Sequence, residues 1–185
     1  MLKQLFALLI PLLFLLQSCN MAPDTVEREM YFPVKSTVDQ LKTTMEKQQP
    51  AIEQQILIGA ERESKKIAGQ EVNWTDQFKI LDDLDLNKPV LQGMYRKDST
   101  AQTVTYTLKK ADPQAKVNWL KVKYLADGSQ QINATLKSST LVHKAERTVE
   151  LQWKNERLLH YTVSGLTKVI LEDTVHYQIS MVPQW

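Results

Sequence analysis

The chain has 185 residues, with 23 Lys and Arg against 21 Asp and Glu and a net charge of +2. Both signs are mixed along it, which excludes the basic stripe that a nucleic-acid surface needs, and the length suits one domain. A single cysteine excludes an internal disulfide, so the core must hold by packing, and at this size folding buries about 70% of the unfolded surface.

The first residues read as an export signal. Lys3 gives a positive start, Leu5 to Leu16 is apolar, and Ser18 is a small residue just before Cys19. The apolar run is shorter than the ~20 helical residues that cross a bilayer core. Leu16-Gln17-Ser18-Cys19 resembles the lipobox of bacterial lipoproteins, with Gln17 where Ala or Ser is usual. The resemblance implies cleavage before Cys19 and acylation of its thiol and amino terminus. That also accounts for an exported chain with one unpaired cysteine, which would otherwise invite reaction. The expected organisation is a signal peptide over residues 1–18, a flexible polar tether over 19–30 and one domain over 31–185. Residue 20 is Asn and not Asp, so the signal that holds some lipoproteins at the inner membrane is missing. The resemblance therefore implies the outer membrane, on either leaflet.

Tyr31 to Gln49 predicts a helix. Val34, Val38, Leu41 and Met45 fall on one face at i, i+4, i+7 and i+11. Pro33 suits the first turn, and Pro50 ends the helix because it cannot donate the next backbone bond. Ala51 to Ile67 predicts a hairpin about Gly59-Ala60. Asn73 and Asp76 have capping-box spacing and open a short second helix with Trp74, Phe78 and Leu81 on one face. Asn87-Lys88-Pro89 closes it.

From Gly93 the apolar period becomes two. Val104, Tyr106 and Leu108 alternate with polar residues, then Leu120, Val122 and Tyr124. Asp127-Gly128 is a hairpin signal, and Ile132, Ala134 and Leu136 follow it. Val149, Leu151 and Trp153 lead to a turn at Lys154-Asn155-Glu156. Leu159, Tyr161 and Val163, then Val175, Tyr177, Ile179 and Met181, complete the pattern. Such alternation gives antiparallel strands with one dry and one wet face. The predicted fold is α+β: a curved antiparallel meander of about six to eight strands whose dry face packs on two amphipathic helices.

Tyr31-Phe-Pro-Val-Lys35, Asn73-Trp74 and Asp85-Leu-Asn-Lys-Pro89 resemble a group of uncharacterised lipoproteins from Bacteroidota-type bacteria. In these a lipobox precedes a helix, a hairpin, a short helix beginning near a tryptophan, an Asn-Lys-Pro segment and a β-meander. The resemblance implies that architecture and an envelope location, and it carries no activity to transfer. Asp24-Thr25-Val26, Asp98-Ser99-Thr100 and Asp173-Thr174-Val175 resemble the short acceptor motif of Bacteroidota O-glycosylation, which makes Thr25, Ser99 and Thr174 candidate modification sites.

The patterns expected of catalytic chemistry are incomplete. His160 and His176 fall on the wet face, with His176 expected opposite Thr167 and Lys168, and His143 stands alone. A two-histidine set lacks the third ligand that zinc requires. Ser164-Gly165 lacks the glycine two residues before the serine of a nucleophile elbow, and Gly165 reads as a bulge or bend. Asp82-Asp83-Leu84-Asp85 lacks calcium-loop spacing and reads as a solvated helix end. Lys109, Lys110, Lys116, Lys121 and Lys123 read as wet-face and edge lysines. No cofactor, metal or nucleic acid is expected, nor is catalysis.

Two roles remain. The first is an envelope interaction or scaffolding lipoprotein, docking an unknown envelope protein by its wet face or a sheet edge. The alternative is a carrier for a lipid or other apolar ligand held between sheet and helix. Val38, Leu41, Tyr106, Tyr124, Trp153, Tyr161 and Tyr177 are the candidate lining. The same residues also suit a filled core, which is the preferred reading. An apolar cavity of ~300 Å³ or more would favour the carrier.

Overall fold

The computed structural model describes residues 30–169 and 173–185. Cys19, Thr25, the signal peptide and the tether up to residue 29 lie outside the described residues. Among the described residues no helix is long and apolar enough to cross a membrane.

Helix α1 spans Val34–Gln48, and its buried residues are Val34, Val38, Leu41 and Met45. It begins where that apolar period begins, three residues after the expected start at Tyr31, because Tyr31 and Phe32 are engaged elsewhere. The Tyr31 amide donates to Asn87 Oδ1 at 2.9 Å. Gln49 then turns left-handed with φ 46°, and its amide bonds back to the Met45 carbonyl. Pro50 follows, and the chain leaves as strand β1 (Ala51–Ile58). Gly59, at φ 59°, reverses it into β2 (Glu61–Ile67).

Asn73 caps α2 (Trp74–Phe78) by accepting from the Asp76 amide. The helix tightens into a 3₁₀ stretch, Lys79–Leu84, and a second 3₁₀ turn covers Pro89–Leu91. Trp74, Phe78, Leu81, Leu84, Leu86 and Leu91 from this region are all buried.

The remaining strands are β3 (Tyr95–Ser99), β4 (Thr103–Leu108), β5 (Val117–Tyr124), β6 (Gln130–Ser139), β7 (His143–Lys154), β8 (Arg157–Val169) and β9 (Val175–Gln184). With β1 and β2 they form one open antiparallel sheet in the order β2-β1-β9-β8-β7-β6-β5-β4-β3. The fold is α+β, as the alternation predicts. The sheet has nine strands among the described residues, more than expected, because the β1–β2 hairpin extends it by pairing with β9.

Inward side chains of the sheet, among them Tyr106, Leu120, Ile132, Leu151 and Met181, join α1 and the 74–91 region in one core cluster. The outer face is polar. Glu150 accepts from Gln131 at 2.8 Å and Asn133 at 3.2 Å, and Thr162 shares a hydrogen bond with Ser180 at 3.0 Å.

Two local expectations change. Gln152 pairs with His160 and Trp153 with Leu158, so Leu159 is an extra residue in a β-bulge. The bulge turns Leu158 inward, where it is fully buried, and Leu159 does not take the core position its alternation predicts. Gly165, by contrast, pairs regularly with Arg147 and Tyr177. Its role is close approach: a Cβ there would sit 2.5 Å from the Glu146 carbonyl oxygen and 3.0 Å from the Tyr177 hydroxyl.

Candidate ligand cleft

Strands β7 and β8 are 12 and 13 residues long, and the helical cover does not reach their whole length. Beside the cover a cleft of about 440 Å³ opens on the inner face. Its floor comes from three adjacent strands: Arg147 on β7, Tyr161 and Val163 on β8, and Tyr177, Ile179 and Met181 on β9. Its wall is Asp76, Gln77, Lys79, Ile80 and Asp83, from α2 and the 3₁₀ stretch after it. A larger hollow of about 500 Å³ lies beside residues 111–116, where Leu108, Ala111, Pro113 and Ala115 alternate with Asp112, Lys116, Asn118, Lys137 and two serines.

Tyr161 ties floor to wall. Its hydroxyl donates to the Gln77 carbonyl at 3.2 Å, and the Phe78 ring meets its ring edge-on at 5.6 Å. Burial, with Tyr177 nearby, pushes the Tyr161 hydroxyl well above the usual tyrosine range, so it is a neutral donor at ordinary pH.

The charges of the cleft are unevenly satisfied. Asp83 is held by Lys116, whose Nζ lies 2.9 and 3.0 Å from its two oxygens. Asp76 accepts from Asn73 Nδ2 at 2.7 Å. Arg147 and Lys79 have no ion-pair partner among the described residues. Arg147 stands on the inner face between Ala145 and Val149, both buried, and its Nε is itself buried with no hydrogen-bond partner. Its position follows from the alternation through Val149, Leu151 and Trp153, carried two residues back toward His143. The alternation visible in the sequence starts at Val149, and Arg147 lies two residues outside it.

The expected lining residues divide. Tyr161 and Tyr177 line the cleft. Val38, Leu41, Tyr106 and Trp153 are buried in the packed cluster beneath α1. Tyr124 is 42% exposed, not buried among the core rings. It ends β5, where its amide bonds to the Gln102 carbonyl, outside the covered part of the sheet.

His176 pairs opposite Leu166, not Thr167 or Lys168, which puts the two strands in a register one to two positions from that expected. His160 pairs with Gln152. The described residues contain no group of three or more potential metal ligands. His160 Nε2 does lie 2.7 Å from the Thr162 hydroxyl, a hydroxyl–base pair that the sequence reading did not foresee. It comes from two outward residues two positions apart on a strand. The carboxylate opposite Thr162, Glu150, accepts from Gln131 and Asn133, and among the described residues His160 has no carboxylate hydrogen-bonded to it. Ser99 ends β3 and Thr174 precedes β9, both exposed.

No family model, no curated protein and no solved structure matches the chain.

Proposed function

We propose that this is a lipid-anchored envelope protein, attached through Cys19, that binds an apolar ligand in the cleft over β7–β9 and performs no catalysis. The observation carrying this reading is the cleft itself. At about 440 Å³ it lies within the range of small-molecule sites, roughly 300–1,000 Å³. Val163, Ile179, Met181 and two tyrosines supply its apolar floor. Docking through a sheet edge has less support. Edge strand β2 carries Glu61, Arg62, Glu63, Lys65 and Lys66, and edge strand β3 carries Arg96, Lys97 and Asp98. Charged edges discourage pairing with another strand.

Full-length protein purified from membranes of its host tests both parts. Mass spectrometry should find Cys19 as an acylated amino-terminal residue, and an intact Ser18–Cys19 junction in the main species would remove the anchor. Solvent extraction of the same sample should release a stoichiometric apolar molecule. A protein partner retained without any such molecule would favour the scaffold instead.

A further inference from the structure

The proposed cleft is apolar along its floor, yet it contains an arginine without a counter-ion. Burying part of a guanidinium removes hydration that only a hydrogen-bonding partner of opposite charge replaces well. Neither carboxylate in the wall forms an ion pair with it: Asp83 is bonded to Lys116 and Asp76 to Asn73. Glu146, next to Arg147 in sequence, is on the opposite face, where it pairs with Lys137 at 3.4 Å. Lys79, exposed in the wall, adds a second unpaired cation. The guanidinium is the fork that recognises carboxylate and phosphate oxygens in pairs. Val163, Ile179, Met181 and Ile80 in the same cleft offer such a head no hydrogen bonds, but they suit a hydrocarbon chain.

We infer that the cleft takes a single-chain amphiphile with an anionic head, its chain over Val163, Ile179 and Met181 and its head on Arg147. This rests on the cleft being a ligand site. It adds the class of ligand and assigns Arg147 as the residue that selects for it. The chemistry shared by a fatty acid and a lysophosphatidate is a negatively charged oxygen pair or triad on one acyl chain. A neutral chain of equal length would fill the floor and leave Arg147 unpaired.

The test uses the full chain in phosphatidylcholine nanodiscs, labelled with a photoactivatable palmitic acid. Peptides bearing adducts are mapped by mass spectrometry, with unlabelled palmitate, lysophosphatidate and hexadecanol as competitors. Adducts are expected on peptides containing Ile80, Val163 or Ile179. Palmitate or lysophosphatidate should displace the probe at concentrations at least about tenfold below hexadecanol, the discrimination expected of a charge-assisted hydrogen bond. Whichever of the two anions competes better identifies the head as carboxylate or phosphate. Arg147→Met, close in length and apolar, should abolish the preference, and Arg147→Lys should retain part of it. Wild-type protein that treats hexadecanol and the anions alike overturns the head assignment and leaves the cleft standing, and this comparison needs no variant to fold. An Arg147→Met protein that keeps its preference does the same. Labelling that avoids the cleft altogether overturns the ligand site and this inference together.

Discussion

Asn87 closes the domain by holding the segment that leads into α1. Its Oδ1 accepts from the Tyr31 amide at 2.9 Å, and its Nδ2 donates toward the Tyr31 and Phe32 carbonyls at 3.4 Å each. The Tyr31 ring behind it is buried and meets Tyr95 and Tyr106 edge-on at 5.7 and 5.4 Å. Asn87→Leu conserves bulk and removes all three contacts. The short bond dominates: a neutral hydrogen bond contributes about 1 kcal/mol, and leaving its part-buried donor unpaired adds about as much again. The two long contacts are weak by geometry. The expected loss is therefore about 2 kcal/mol, read as a lower urea midpoint with unchanged slope. In a chain of this size the melting temperature should fall by roughly 4–8 °C. Asn87→Asp keeps the acceptor for Tyr31 but turns a carboxylate oxygen toward the Tyr31 and Phe32 carbonyls in place of a donor, so part of the loss should persist in it. An Asn87→Leu protein within about 0.5 kcal/mol of wild type, the scatter of ordinary surface changes, would refute the clasp.

Gly69 is buried, and a Cβ there would overlap the Gln49 carbonyl and lie 2.5 Å from the Pro50 oxygen. Gly69→Ala must push apart the corner between α1 and β1, and a loss of about 3 kcal/mol is expected by thermal or urea unfolding; a neutral substitution would show that the corner is slack. Burial, with Tyr31 nearby, pushes the Tyr95 hydroxyl up to about 12 from its ordinary 10.0, and Tyr161 is raised as well. Unfolded tyrosines ionise first, so this contribution to stability is complete below pH 10 and is lost as the pH rises toward 12. Tyrosinate absorbance from Tyr95 and Tyr161 should therefore appear together with loss of near-ultraviolet circular dichroism. Ionisation of either near pH 10 in folded protein, judged by comparison with Tyr95→Phe and Tyr161→Phe, would contradict it.

Local chemistry made much of this fold legible. Val34, Val38, Leu41 and Met45 mark α1 because a helix repeats its face every three to four residues, and they are its buried residues. Gly59 and Gly128 take positive φ, and Asn155 and Glu156 do so at the β7–β8 turn. Asn73 caps the helix it was expected to start. Long-range facts were not legible. Nothing near Ile52 indicates that its strand will lie beside Pro183, because pairing across such a distance is decided by the assembled sheet. The bulge at Leu159 reversed a run of alternation that reads equally well without it. For the cleft, Tyr161 and Tyr177 emerged from aromatic spacing. The limit of the helical cover depends on how far β7–β9 outrun it, which no local pattern records. Arg147 was within reach: a cation in phase with Val149 and Leu151 on a dry face asks for a partner.

Strand β9 follows the other described strands in sequence but lies third from one edge of the sheet. Behind it, Trp185 donates its indole N–H to the Leu158 carbonyl at 2.7 Å, and the Arg157 guanidinium lies over its ring at 5.3 Å. Synthesis runs from the amino terminus, so the hairpin of residues 51–67 is made long before the strand it must join. A two-stranded hairpin is marginal by itself, and an apolar one waiting this long would seek other partners. Five of the seven residues of β2 are charged, and they keep the waiting hairpin soluble. The final ten or so residues act as a keystone: truncation before Val175 would part the sheet into a loose hairpin and a six-stranded remnant. Trp185, bonded to Leu158 and covered by Arg157, locks β9 against its neighbour.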